Sequence, residues 1–146
     1  WKPNLINHYD KPRLIMCGFF IAMNKTLWLR LIAISGALSV MFGAFGAHGL
    51  EDRLSASYLD TFNTAVRYQI LHSLALLGII CLPDHLVKLR TLHWVAISFA
   101  AGVLLFSGSL YLLVLCDIPS LGVITPIGGA ALILGWVLLL LSVRRN

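Results

Sequence analysis

Three stretches of the chain stay apolar long enough to constrain everything else. Leu27 to Leu50 is interrupted only by Arg30, while Trp94 to Cys116 and Pro126 to Val143 carry no formal charge. A hydrocarbon layer about 30 Å thick is crossed by ~20 residues of helix, with roughly 17–25 accepted, and all three runs fall in that window. Composition says the same: 12% of the residues are charged where a soluble domain has roughly 25%. With 59% hydrophobic residues, intrinsic disorder is excluded as well. A length of 146 residues fits one compact unit.

A fourth segment is less uniform. Ile70 to Leu82 is strongly apolar but too short to span; extended back to Thr61 it reaches ~33 Å at 1.5 Å per residue. The added turns contain Asn63, Thr64, Arg67, Tyr68 and Gln69, so the polar half of this helix must face protein or water. The expected fold is therefore all-α, a four-helix transmembrane bundle with helices at about 27–50, 61–82, 94–116 and 126–143. Pro83 and Asp84 stop the second helix, and Thr125 is the expected N-cap of the fourth, with Pro126 at its first position. The polar stretch from Glu51 to Asp60 suits a short interfacial segment.

The charge pattern orients the chain. The net charge is +5, and the basic residues sit in the gaps between apolar runs rather than on one polar face, which argues against nucleic acid and for the anionic cytoplasmic surface of a bilayer. With four crossings, one side holds Lys2, Lys11, Arg13, Lys25, Arg30, Lys88, Arg90, Arg144 and Arg145, leaving only Arg53 and Arg67 opposite. The excess of Lys and Arg on the cytoplasmic side then puts both termini there. Residues 1–22 read as an extension outside the main domain, 23–146: the 14–22 run is short for a signal sequence and ends without a small-x-small cleavage site. Cys17, Cys81 and Cys116 form no metal or disulfide pattern, and the last two fall at opposite ends of the bundle.

Small residues mark the expected packing faces: Ser35, Ser39, Gly43 and Ala47 on helix one, and Gly128 and Gly135 on helix four. Close backbone approach, rather than apolar burial, holds helices together in lipid. The polar face of helix two is the candidate ligand-binding site. At 100° per residue Asn63, Thr64, Arg67, Tyr68 and His72 share half of the circumference, with His48 at the end of helix one nearby. His72 falls near mid-bilayer, ~15 Å from the inner boundary. An ionisable residue there serves either as a ligand contact or as a hydrogen-bonding tie between helices, with Ser107 or Tyr111 as its partner. Arg67 either receives an anion or pairs with Glu51, Asp52 or Asp60. No nucleotide, nucleophile or metal motif is present, so no cofactor, metal site or catalytic residue is expected.

Four blocks carry a family resemblance: Gly43 to Leu50 (GAFGAHGL), Thr64 to Gln69 (TAVRYQ) with His72 to Leu76, Leu105 to Tyr111 (LFSGSLY), and Thr125 to Gly129 with Gly135 and Trp136. In this order they resemble the small membrane-protein family called domain of unknown function 423, over about residues 23–145. The resemblance implies a short multi-pass protein of the bacterial inner membrane and no known activity. Two roles remain open: binding a small polar or anionic solute in an outward-facing polar pocket, or assembly with a second copy or another membrane protein. The topology has a direct check. Cysteines placed at Ser57 and Lys88 should react with a membrane-impermeant maleimide from opposite sides of the membrane, and labelling of both from one side would refute four crossings.

Overall fold

The computed structural model describes the backbone of residues 11–144 and the side chains of residues 25–144. The expected extension at 1–22, with Cys17, Lys2, Lys11, Arg13 and Arg145, lies outside the residues whose side chains are described. Four long helices follow one another: α1 (Lys11–Phe45), α2 (Ala56–Ile80), α3 (Leu89–Leu115) and α4 (Thr125–Ser142). No strand occurs among the described residues. Lys25–Leu50, Leu89–Leu115 and Pro119–Ser142 are each long and apolar enough to cross a membrane. α2 matches them in length, at ~37 Å, but its first half carries the polar residues.

Local chemistry sets the helix ends and corrects two expectations. α1 widens into a π-helical turn, Gly46–Leu50, pressed against α2 so closely that a Cβ on Gly46 would lie 3.1 Å from the Phe62 ring. The polar stretch after it forms no separate interfacial helix. It is a short turn, and from Ala56 onward it belongs to α2, because Ser55 caps that helix by accepting a hydrogen bond from the Tyr58 amide at 3.3 Å. Thr125 is not the cap of α4. A 3₁₀ turn at Pro119–Val123 leads into that helix, so the Ile127 and Gly128 amides are satisfied by the Ile124 carbonyl, and the Thr125 hydroxyl bonds Ser109 on α3 at 2.9 Å.

The helices do not close into a ring, in contrast to the expected tight bundle. Among the described residues, backbones approach one another only between successive helices, α1 with α2, α2 with α3, and α3 with α4. α1 is an outer helix, and its small residues serve internal packing unevenly: Ser39 is buried, Ser35 and Gly43 are half-buried, and Ala47 is exposed. The α3–α4 seam is the tightest. A Cβ on Gly128 would stand 2.7 Å from the Phe106 Cα, one on Gly135 would strike the Phe99 ring, and one on Gly102 would meet Leu132. Phe62, Ala65, Val95 and Phe99, all 0% exposed, fill the layers beside α3.

Both ends of the molecule are tied. At one end Lys25 pairs with Asp84 at 3.5 Å. There the Lys88 amide donates to the Ser142 carbonyl and the Arg144 amide to the Leu86 carbonyl, each at 2.9 Å. At the other, the Tyr58 hydroxyl donates to the Asp117 carboxylate at 2.9 Å. That carboxylate, by its hydrogen bond and its charge, raises the Tyr58 phenol above its usual 10.0. The N-terminal side of α1, the α2–α3 loop and the C-terminal end of α4 therefore share one end. The glycine geometry makes a signed prediction. Gly128→Ala must separate α3 from α4 and should destabilise the detergent-solubilised protein by roughly 1–3 kcal/mol. Gly43→Ala meets only Val66 at an ordinary 3.5 Å and should be neutral or gain up to ~1 kcal/mol of helix propensity. Thermal unfolding measures both, and equal losses would contradict the assigned seam.

Candidate functional site

The polar residues of α2 divide between faces instead of forming one pocket. Arg67 is exposed on the face of α2 opposite Gln69, ~160° around the helix, with Asn63 and Thr64 half-buried on the flanks of that face. Tyr68 and His72 turn toward α3 and α4: the Tyr68 ring stacks on Phe106 at 4.3 Å and on His72 at 5.8 Å. His48 is exposed in the π-helical turn. The expected grouping of Arg67 with Tyr68 and His72 is thus not what the fold produces. Nor does Arg67 pair with Glu51, Asp52 or Asp60, since the ion pair found among the described residues is Lys25–Asp84.

His72 is buried and doubly bonded. Its Nδ1 lies 2.9 Å from the Tyr68 carbonyl oxygen, and the Trp136 indole N–H donates to its Nε2 at 3.4 Å. A neutral ring with its proton on Nδ1 satisfies both contacts. Ser107 and Tyr111, the expected partners, bond elsewhere. The Ser107 hydroxyl, 1% exposed, donates to the Ala65 carbonyl at 2.8 Å. The Tyr111 hydroxyl donates to Gln69 Oε1 at 2.8 Å.

Gln69 is the centre of the polar structure, and sequence reasoning passed over it in favour of its charged neighbours. Its Nε2 donates to the Ser35 carbonyl at 2.9 Å, and its backbone carbonyl accepts from the Ser73 hydroxyl at 2.7 Å. Ser73 has one proton and gives it to that carbonyl, so in the 2.8 Å contact between Ser35 Oγ and Ser73 Oγ Ser35 is the donor. Three helices are thereby joined through one side chain. The sequence signal was available: Gln69 and Ser73 are four apart, one turn on a single face, and a glutamine in an apolar span needs partners on both of its amide atoms.

This network forms the floor of a cleft of about 400 Å³ between α1 and α3. Leu31, Ile34, Leu38 and Leu104 line it and are themselves exposed on the outer surface, so the cleft has an apolar mouth. Gln69, His72, Ser73, Ser107 and Tyr111 lie at its base. Among the described residues no buried side-chain polar atom lacks a hydrogen-bond partner, and no three His, Cys, Asp or Glu side chains gather as metal ligands would.

Comparison with known proteins agrees with the architecture. The profile of the protein family of unknown function DUF423 matches residues 42–129. A UPF0382 membrane protein of Staphylococcus aureus is 43% identical over 120 residues, covering 78% of this chain and 95% of the relative. The UPF0382 membrane protein YwdK of Bacillus subtilis is 41% identical, over 75% of this chain and 89% of its own. The UPF0382 inner membrane protein YgdD of Escherichia coli is 36% identical, over 84% and 93%. No solved structure matches the chain. The hydrogen-bond geometry predicts that Gln69→Leu, which strands the Tyr111 hydroxyl and removes the bond to α1, costs roughly 1–3 kcal/mol. Arg67→Gln, on an exposed position, should leave stability within about 0.5 kcal/mol. Chemical or thermal unfolding in detergent ranks the two, and the reverse order would reject Gln69 as the central tie.

Proposed function

The chain belongs to the DUF423 family of membrane proteins, and from that premise we propose a non-enzymatic, four-crossing inner-membrane protein that binds an apolar molecule drawn from the bilayer. The tied ends support the fourth crossing. α1 leaves the end marked by Lys25 and Asp84, and α3 starts again from that end, so α2 must carry the chain back over the full distance between them. The same grouping of ends, with its Lys and Arg, favours cytoplasmic termini. A non-catalytic role is supported by the bonding. The Ser107 and Ser73 hydroxyls donate to backbone carbonyls, and His72 is held between Tyr68 and Trp136, so no serine is paired with a base.

The observation that carries the ligand reading is the protonation of the cleft floor. Every hydroxyl there already donates inside the protein, and the Gln69 amide N–H groups point to the Ser35 carbonyl at 2.9 Å and the Ser35 hydroxyl at 3.5 Å, so the floor presents chiefly oxygen lone pairs. An anion needs donors or a cation, and Arg67 faces the other way. A long apolar molecule with one O–H donor suits both the wall and the floor, so the expected small polar or anionic solute gives way to a long-chain alcohol. A Cβ on Gly108, which lines the cleft, would meet nothing within 4 Å, so Gly108→Leu is the variant chosen to occupy the space. A photoactivatable long-chain alcohol should label α1 and α3 peptides, more than the matching fatty acid does, and Gly108→Leu should remove most of that labelling. Undiminished labelling in the variant, or equal labelling by the acid, would defeat the proposal.

Assembly with a second copy or another membrane protein is the second reading. It is favoured by α1, whose backbone approaches only that of α2 among the described residues and which leaves Ala47 exposed and open space beside Gly36.

A further inference from the structure

The exposed face of α2 presents charges in an order that the cleft does not use. Asp60 and Arg67 are both exposed on it, seven residues and ~10 Å apart along the axis, with Thr64 between them and Leu71 and Leu74 exposed on the apolar side of Arg67. In the four-crossing arrangement, on which this inference rests, Asp60 lies toward the outer surface and Arg67 lies ~9 Å inside a span beginning at Thr61. A guanidinium facing hydrocarbon is costly, and it reaches for the interface along its own flexible stem. A second copy offers no relief. Among the described residues the carboxylates are those of Glu51, Asp52, Asp60, Asp84 and Asp117, and none lies at the depth of Arg67. Parallel copies side by side share their depths, so a symmetric contact would set Arg67 near another Arg67.

We propose that this face binds the head of an outer-leaflet phospholipid carrying a primary amine, with its phosphate on Arg67 and its ammonium on Asp60. In such a head the phosphate is attached nearer the hydrocarbon and the ammonium extends toward water, which is the order of the cation and the anion on α2. An upward-reaching Arg67 shortens the distance to Asp60 toward the length of one ethanolamine head. The guanidinium supplies paired donors to phosphate oxygens, the Thr64 hydroxyl flanks it, and Leu71 and Leu74 lie below against the chains.

The test uses the full chain in detergent, with native mass spectrometry reading bound dioleoyl phosphatidylethanolamine against dioleoyl phosphatidylglycerol, which has the phosphate without the amine. The wild-type chain should retain the ethanolamine lipid preferentially. Arg67→Gln should weaken that binding about tenfold, the loss of one charge-assisted contact, and Asp60→Asn should bring the two lipids close to parity. Unchanged retention by Arg67→Gln, equal retention of both lipids by the wild type, or a shift of Arg67→Gln from dimer to monomer mass would overturn the proposal. Impermeant labelling of Ser57→Cys and Lys88→Cys in intact cells separates the two failures. Same-side labelling removes the crossing itself, whereas opposite-side labelling without a lipid effect removes only the headgroup site.

Discussion

Hydrocarbon gives a helix no hydrogen-bond partner, and the arrangement of this chain follows from how it meets that condition. Gln69 in the middle of α2 has an amide that neither its own helix nor lipid can satisfy. Its nitrogen finds the Ser35 carbonyl of α1 and its oxygen the Tyr111 hydroxyl of α3. With those two bonds made, α2 is fixed between its neighbours and cannot rotate without stranding polar atoms on both sides. The serines extend the same logic, since each sends its proton to a backbone carbonyl or to another serine.

The seams between helices are therefore held by different means. α1 and α2 combine the Ser35 bonds to Gln69 and Ser73 with Phe42 and Phe45 packed edge-on to Phe62, and before the close approach at Gly46 their glycines leave room: Gly36 faces open space and Gly43 meets Val66 only at ordinary contact distance. α3 and α4 approach until a methyl group would not fit at Gly128 or Gly135, so dispersion over a close backbone contact takes the place of polar ties. Between them, α2 and α3 combine the Ser107 and Tyr111 bonds with the stack of Tyr68 on Phe106. An outer helix whose backbone lies along α2, beside an α3–α4 pair locked by glycine, leaves the cleft between α1 and α3.

Much of the fold was legible because lipid turns length and hydropathy into geometry. The apolar runs found three of the helices, and the half-polar run 61–82 found the fourth, which begins at Ala56 because Ser55 caps it. Gly128 and Gly135 were legible as packing residues for the same reason. The site was less so. A helical wheel places Asn63, Thr64, Arg67, Tyr68 and His72 on one half-circumference, but it cannot say where two neighbours divide that half. α3 and α4 claim His72 and one face of the exposed Tyr68 ring, Asn63 and Thr64 stay half-buried, and Arg67 is left outside. Attention to charge also favoured Arg67 over Gln69, although Arg67 is exposed while the buried amide needs partners at both of its ends. Thr125 misled differently. Its cap position was preempted by a 3₁₀ turn whose carbonyl supplied the same bond through the backbone.

The division of α2 underlies both proposed ligand sites, which follow from it in the four-crossing arrangement. On the side of Gln69 the polar atoms are neutral and their protons are committed within the protein, so what remains toward the cleft is acceptor capacity in an apolar setting. On the opposite side a cation stands without a carboxylate at its depth. The first environment disfavours anions, because an anion there would face chiefly oxygen lone pairs in place of its lost water. The second selects for them, because a phosphate restores to Arg67 the partner that hydrocarbon withholds. The two proposed ligand chemistries are thus separated by the thickness of one helix. The separation depends on Gln69 fixing the rotation of α2, for a turn of half a circumference would exchange the two faces.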